Sequence, residues 1–351
     1  MLKYLFQKFL GIFSELIYFV CERKKESGLP QKFELKFRVN GTFKIVQFTD
    51  LHERTEKNEK TINLMKSVMD SEKPDLILLT GDCIDGRYCR SRSATEKAIH
   101  NLASTIEATK IPWAVVLGNH DCELSSVNRE EQMKIYMSYA HNLSERFSTV
   151  IGRSGDYNIL IKDSKNTNPV LNIFMMDSGD YCYRGYDYIT RRQVRWYEGL
   201  SNNLEKEFHK KIPSLMFFHI PLQQQKQIGL SGHFDGNRNE MECTQSRDRG
   251  LLYSLKKVGN VTGVFCGHDH TNDYQGLLDG IILGYGRSTG YNGYGKEGFS
   301  KGATVYIIDE NKPGEFQRYH KEAVARVQIP DTTKKQLSES RVQIPVKEIL
   351  P

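Results

Sequence analysis

Five short clusters of Asp, Asn and His recur along the chain, each directly after a run of apolar residues. Together they contain seven side chains that could bind metal ions, namely Asp50, His52, Asp82, Asn119, His219, His268 and His270. Carboxylate oxygens and imidazole nitrogens without thiolates suit Mn, Fe, Zn or Mg and argue against copper–thiolate or iron–sulfur sites. A single tetrahedral zinc needs only three protein ligands and a water. Seven candidates therefore indicate two divalent ions that share one bridging carboxylate.

Two adjacent divalent ions are suited to phosphoryl transfer. Ions about 3.5–4 Å apart clamp the attacking and leaving oxygens, and the pKa of a bound water falls from about 15.7 toward about 7. Taken alone, an Asp after a strand is more often a turn or cap residue. A lone His such as His219 more often bonds a backbone carbonyl. The metal interpretation therefore depends on the five clusters together.

The clusters require strands that end next to one another. Apolar runs predict strands at residues 43–49, 75–80 and 113–117, with helices at 59–70 and 94–108 between them. Each run is followed at once by a cluster, at the carboxyl edge where open α/β sheets place ligands. Glycines at positions 81, 118 and 267 allow close turns there.

The second half of the chain is predicted to be richer in strands. These are expected at residues 157–161, 171–176, 214–218, 261–265, 280–283 and 304–308, with helices at 191–204 and 250–258. Residues 223–249 are polar and are predicted to form a long loop, which in a compact domain is often functional. The alternation of strands and helices indicates an α/β fold.

Composition excludes several classes of protein. The 49 basic and 43 acidic residues give a net charge of +6 spread along 351 residues. Because no block of Lys and Arg with interleaved aromatic residues occurs, specific nucleic-acid binding is not expected. The seven cysteines are scattered without a Cys-x-x-Cys pair, which argues against thiolate zinc and thioredoxin-like chemistry.

Residues 1–25 are predicted to form an N-terminal helix that is apolar over residues 2–20 and carries basic residues at 23–25. Three interpretations stay open: an uncleaved membrane anchor, an interfacial amphipathic helix, or a helix packed on the domain. The first two together are favoured over the third, so a membrane-associated or secretory location is favoured over a cytoplasmic one. Glycosylation triplets at Asn40, Asn142 and Asn260 would be usable only in the secretory pathway.

The five clusters, in this order, resemble the calcineurin-like metallophosphoesterase superfamily over about residues 43–308. The resemblance implies a four-layer αββα double β-sandwich across residues 33–320, followed by a tail at 321–351 that carries the repeat Arg-Val-Gln-Ile-Pro twice. The ligands it implies are Asp50, His52 and His270 for one metal, Asn119, His219 and His268 for the other, and Asp82 as the bridge. It also implies that His120 protonates the leaving oxygen, that Asp121 orients its ring, and that a bridging hydroxide attacks phosphorus in line.

Two positions refine the subgroup. Purple acid phosphatases carry a Tyr where this chain has Asp85, and they lack a His where it has His52, so a coloured Fe(III)–tyrosinate site is not expected. Residues 177–179, 267–273 and 284–291 nevertheless look like those of fungal and plant phosphatases labelled purple-acid-phosphatase-like. Arg287 in the last segment is expected either to contact substrate oxygens or to form a structural salt bridge.

The resemblance implies a hydrolase, with a dinuclear metal-dependent phosphomonoesterase as the first interpretation. Its substrate would be a phosphorylated small molecule or a phosphoprotein. The alternatives are a phosphodiesterase that acts on nucleotides or lipid headgroups, and a metal-binding scaffold without catalysis. Because every implied ligand and His120 are present, the scaffold is the least favoured of the three.

Overall fold

The computed structural model of the protein describes residues 33–323. The helix predicted at residues 1–25 and the repeat in the tail lie outside these residues, so both stay predictions. Within the described part, no helix is long and apolar enough to cross a bilayer.

Most of the described elements are strands. In chain order they are β1 (Leu35–Lys36), β2 (Thr42–Phe48), β3 (Leu76–Thr80), β4 (Trp113–Val116), β5 (Tyr157–Lys162), β6 (Pro169–Met175), β7 (Tyr181–Cys182), β8 (Gly185–Tyr186), β9 (Ser214–Phe217), β10 (Val261–Cys266), β11 (Gln275–Leu278), β12 (Ile281–Tyr285), β13 (Gly302–Asp309) and β14 (Phe316–Glu322). The helices are α1 (Glu59–Glu72), α2 (Arg92–Glu107), α3 (Arg129–Met137), α4 (Arg191–Phe208), α5 (Gln224–Ser231) and α6 (Leu251–Val258).

Two sheets pack against each other. One has the order β14-β13-β2-β3-β4 and the other the order β1-β5-β6-β9-β10-β12-β11. Between them the ring of Tyr306 lies 5.6 Å from Phe217 and 4.6 Å from Phe265, measured between centroids. Buried side chains of α2 join the core of the first sheet, and those of α4 and α6 form a core with the second. The expected four-layer αββα arrangement is confirmed.

The direction of the strands explains why the clusters converge. Strand β3 pairs in parallel with both β2 and β4, and β9 pairs in parallel with both β6 and β10. Parallel neighbours end at the same edge of a sheet, and strands covered on both faces are apolar throughout. All five residues of β3 are buried accordingly. At this edge Gln47 joins the sheets, because its side-chain amide donates to Thr80 Oγ1 at 2.7 Å in its own sheet and to Cys266 O at 3.3 Å in the other sheet.

The elements differ from the predictions in several places, and the short strands β1, β7, β8 and β11 were not expected. Helix α3 was not expected, and α5 lies within residues 223–249, which were predicted to be a loop. Helix α4 continues to Phe208, four residues beyond its predicted end. Strand β14 was also not expected; it pairs with β13 and ends at Glu322, so the sheet continues past the domain boundary predicted at 320.

Candidate metal centre

The candidate ligands meet in two groups at the shared edge of the sheets. Ligand atoms of Asp50, His52, Asp82 and His270 all lie within 4.8 Å of one another, and so do those of Asp82, His219 and His268. Asp82 belongs to both groups, which is what a bridging carboxylate between two ions requires. All of these residues are buried.

Four candidate ligands have a left-handed backbone. The φ angles are 55° at Asp50, 48° at His52, 48° at Asp82 and 80° at His268. This conformation is uncommon for residues other than glycine, costs on the order of 1–3 kcal/mol and concentrates at functional sites. Hydrogen bonds hold it in place, since the amide of Asp50 donates to Gly81 O at 3.1 Å and that of His52 to Asp82 O at 2.8 Å. The strand ends are therefore turned tightly toward one point.

Gly81 and Gly118 are needed because other groups occupy the space that a Cβ atom would take. At Gly81, with φ of 95°, a Cβ atom would come closer than 3.0 Å to the ring of His219. At Gly118 a Cβ atom would come closer than 3.0 Å to both the carboxylate and the amide of Asp82. Real Cβ atoms do not tolerate such contacts, so both glycines allow the ligands to approach.

The first group has the spacing of ligands around one ion. His52 Nε2 lies 3.1 Å from His270 Nε2, and His270 Nε2 lies 3.3 Å from Asp50 Oδ1. With metal–nitrogen bonds of about 2.0–2.1 Å, two ligands at right angles would be about 3 Å apart. His270 Nδ1 lies 3.0 Å from Tyr294 O, and a proton on Nδ1 that bonds this carbonyl leaves Nε2 as the ligand atom.

The second group contains buried polar atoms without partners. His219 Nε2 lies 3.1 Å from Asp82 Oδ2, while its Nδ1 lies 2.9 Å from Thr80 O. Among the described residues, neither ring nitrogen of His268 has a hydrogen-bond partner, and neither does Asn119 Oδ1. A buried unsatisfied polar atom costs about 1–3 kcal/mol. A bound ion would satisfy these atoms, so the residues fit a second metal.

The protonation states of His52, His268 and Asp82 suit metal binding, whereas His219 must release a proton when a metal binds. Burial lowers the pKa of His219, but the carboxylates of Asp82 and Asp50 outweigh it and raise this pKa to about 9. Burial lowers the pKa of His52 and that of His268 to about 3, so both rings are neutral imidazoles at physiological pH. Burial opposes ionisation of Asp82, but the nearby ring of His219 outweighs it and holds the pKa of Asp82 well below its ordinary value. Neutral imidazole and ionised carboxylate are the forms that bind metals.

His120 lies at the rim of the centre. The prediction that Asp121 orients the ring of His120 is wrong, because the carboxylate of Asp121 bonds two backbone amides. The two carboxylate oxygens of Asp121 accept from the amides of Ile84 at 2.9 Å and Gly118 at 2.6 Å, which fixes the loop instead. The ring of His120 bonds through Nδ1 to the carboxylate of Glu123. Its amide donates to Asp82 Oδ1 at 2.7 Å, which ties His120 to the shared carboxylate.

Arg287 forms a structural salt bridge, which is one of the two roles expected for it; the other was contact with substrate oxygens. Its guanidinium pairs with the buried carboxylate of Asp273, and its Nε donates to Ser300 O at 2.7 Å. The guanidinium carbon also lies 3.6 Å from the centroid of the Phe299 ring. These contacts hold Arg287, and with it the glycine-rich segment at residues 284–291, in place.

Asp177 also stabilises the site. It belongs to residues 177–179, one of the segments that resemble those of related phosphatases. It forms a buried ion pair with Arg129. The same guanidinium donates to Gly118 O at 2.7 Å and to Leu117 O at 2.9 Å. The pair therefore fixes the loop from which Asn119 and His120 project.

Sequence reasoning missed Glu123 and three tyrosines around the centre. Tyr181 accepts from Asn119 Nδ2 at 2.9 Å, and the ring of Tyr186 meets that of His268 edge-on at 4.2 Å. The ring of Tyr294 stacks on that of His270 at 3.9 Å. Tyr181 and Tyr186 lie in a hairpin that contains no predicted ligand, so no local pattern marked them. Glu123, three residues after His120, could have been suspected from its spacing.

Comparisons with known proteins agree with this arrangement. The family model described as calcineurin-like phosphoesterase matches residues 43–272. An Arabidopsis thaliana protein named probable inactive purple acid phosphatase 29 is 35% identical over 317 residues, which are 80% of this chain and 80% of that protein. The Saccharomyces cerevisiae protein named phosphatase DCR2 is 30% identical over 290 residues, which are 73% of this chain and 48% of that protein.

A solved structure shows the same fold. The dimetal phosphatase from Danio rerio superposes with a TM-score of 0.57 at 13% identity, over 80% of this chain and 96% of that one. The family uses two divalent metal ions, and the two groups that share Asp82 provide the corresponding donors here. The family model matches more than half of this chain, and the Arabidopsis relative is 35% identical across four fifths of it. This chain therefore belongs to the calcineurin-like phosphoesterase family.

Proposed function

We propose that the protein is a dinuclear metal-dependent phosphatase that hydrolyses phosphomonoesters. The observation that carries this proposal is the pair of ligand groups with Asp82 in common. The Arabidopsis relative is named as probably inactive, and that name describes the relative rather than this chain. In this chain all seven candidate donors are present and buried, and six of them lie in the two groups, which supports an active enzyme.

The residues divide into two sets of roles. Those that would hold the two ions are Asp50, His52 and His270 on one side, Asn119, His219 and His268 on the other, and Asp82 between them. When bound, the ions would polarise the phosphoryl oxygens and supply a nucleophile at neutral pH. His120 would donate a proton to the leaving oxygen. Its ring lies 5.2 Å from that of His52 and is 21% exposed, so it faces both the centre and solvent.

The surroundings of the centre support a monoester over a diester. Tyr186 packs on the ring of His268 and Tyr294 on the ring of His270, so aromatic side chains border both ligand groups. The rim at His120 is partly open to solvent. A monoester has one substituent, and it could leave past His120, whereas a diester must place a second substituent against the tyrosines.

A cleft beside His120 supports a phosphoprotein as the substrate. It has a volume of about 700 Å³ and is lined by Arg87, Tyr88, Arg90, Ser91, Ala94 and Leu124. The amide of Gly86, next to this lining, donates to His120 O at 2.8 Å, so the cleft adjoins the rim of the centre. Exposed arginines and an exposed tyrosine suit a peptide segment with acidic residues next to the phosphorylated one.

The proposal is tested by kinetics on the purified full-length chain, stripped of metal and then supplied with Mn²⁺. We expect p-nitrophenyl phosphate to be cleaved with a higher kcat/KM than bis(p-nitrophenyl) phosphate. A preference for the diester would assign the protein to the phosphodiesterases. If neither ester is cleaved and fewer than two ions bind per chain, the scaffold interpretation replaces the catalytic one.

A further inference from the structure

We propose that Glu123 is the residue that positions His120 to protonate the leaving oxygen. The inference rests on the proposed function, because it assigns a partner to the acid of that reaction. Glu123 lies three residues after His120 in sequence, and its carboxylate oxygen Oε2 bonds ring nitrogen Nδ1 of His120. With Nδ1 held there, Nε2 is the ring nitrogen that is left for the substrate.

The other carboxylates near His120 are engaged elsewhere. Both oxygens of Asp121 accept backbone amides, as described above. Asp85 is buried, and its oxygens accept from Arg87 at 2.8 and 2.9 Å and from Arg54 at 3.4 Å. Among these three carboxylates, only Glu123 reaches the imidazole.

Two further contacts hold Glu123 in place. The hydroxyl of Tyr181 lies 3.4 Å from Glu123 Oε2 and 3.5 Å from His120 Nδ1. Because that hydroxyl accepts from Asn119 Nδ2 at 2.9 Å, its own proton is available to Glu123. Arg87 Nε lies 3.8 Å from the same carboxylate oxygen. The chain of contacts links a candidate ligand, Asn119, to the acid, His120, and leaves Asn119 Oδ1 free to face the centre.

A carboxylate that holds an imidazolium forms a charge-assisted hydrogen bond, which is shorter and stronger than a neutral one. It fixes the direction of the ring and with it the position of Nε2. General acid catalysis contributes about 10²–10⁴-fold, and it matters most when the leaving oxygen is strongly basic. The contribution of Glu123 should therefore depend on the leaving group.

The test compares kcat and KM for two monoesters, O-phosphoserine with a basic alkoxide leaving group and p-nitrophenyl phosphate with a weakly basic one. We expect Glu123→Ala to lower kcat for O-phosphoserine by roughly 100-fold and kcat for p-nitrophenyl phosphate by less than tenfold. We expect KM and the content of two ions to stay unchanged. Glu123→Gln, whose amide oxygen still accepts from Nδ1, should restore most of the lost turnover.

The matched control is Glu130→Ala, an exposed carboxylate of the adjacent helix that pairs with Lys134 and Arg146, and it should behave as the natural chain does. Equal losses for both substrates, no loss for either, or no rescue by Glu123→Gln would overturn the inference. If Glu123→Ala fails to fold, Glu123→Asp withdraws the carboxylate from the ring and carries the same comparison. A natural chain that cleaves neither monoester would instead contradict the proposed function.

Discussion

Gly118→Ala is the substitution that tests the packing of the centre most sharply. A Cβ atom at this position would come closer than 3.0 Å to Asp82 Oδ1 and Asp82 N, and it would lie 2.7 Å from His219 Cδ2. To reach ordinary van der Waals separation, the carboxylate of Asp82 or the loop must move by roughly 1 Å. Either movement disturbs the hydrogen bond of 2.7 Å from the amide of His120 to Asp82 Oδ1. The shared carboxylate therefore loses its position.

The size of the effect follows from two separate losses. Disturbing a group that orients a metal ligand lowers metal affinity by about 10–100-fold, which corresponds to about 1.4–2.7 kcal/mol of binding free energy. Overpacking of a tight site lowers the free energy of unfolding by about 1–3 kcal/mol. Because only the first loss concerns metal, the two can be measured independently.

The assay is calorimetric titration of the metal-stripped protein with Mn²⁺, together with thermal unfolding of the same samples. The control is Gly199→Ala in helix α4, where a Cβ atom would have no atom within 4 Å. It should bind metal as the natural chain does and gain about 0.5–1 kcal/mol of stability, because alanine favours a helix interior over glycine. A Gly118→Ala variant that binds both ions as tightly as the control would refute the close approach of Gly118 to Asp82.

Four further substitutions have defined outcomes. His120→Ala should keep both ions and lose most turnover, whereas Asp82→Ala should lose metal; equal metal loss, measured by elemental analysis, would show that His120 is misassigned. Burial raises the pKa of Asp156 to about 6, so its favourable contribution to stability is complete below pH about 4 and is lost as pH rises through about 6. Asp156→Asn keeps the two hydrogen bonds that Oδ1 accepts and reverses the third, so that its Nδ2 donates to Ser148 Oγ. It should raise the free energy of unfolding by up to about 3 kcal/mol at pH 8, but not at pH 4. Arg129→Met leaves its buried carboxylate partner unpaired and should cost about 3–5 kcal/mol in chemical denaturation.

The convergence of six of the seven candidate ligands could be predicted because the signal is local. An apolar run that ends in Asp, Asn or His places that side chain at the edge of a sheet, as at Asp50 after β2 and His219 after β9. The parallel direction of these strands then brings the edges together. The sequence therefore indicated both the fold and the convergence of the ligands before any contact was known.

The partner of His120 could not be predicted in the same way. Whether Asp121 or Glu123 meets the ring depends on how the backbone turns after Asn119. Here it turns Asp121 inward onto two amides and brings Glu123 back to the imidazole. Tyr181 approaches from a hairpin about sixty residues later in the chain, so only the tertiary structure reveals it.

The missed helices have a weak hydrophobic pattern. In α3 the buried residues include Arg129 and Gln132, so polar contacts with the loop hold it rather than an apolar stripe. A capping box formed by Asn128 and Glu131 was the available signal for its start. In α5, Ile228 is the large apolar residue that is buried, and a single such residue gives no periodicity.

The central claim is that two ions bind on either side of Asp82, and anomalous diffraction from crystals soaked with Mn²⁺ tests it most directly. We expect two anomalous peaks that share the Asp82 carboxylate, one beside His52 and His270 and the other beside His219 and His268. A single peak, or two peaks without Asp82 between them, would contradict it.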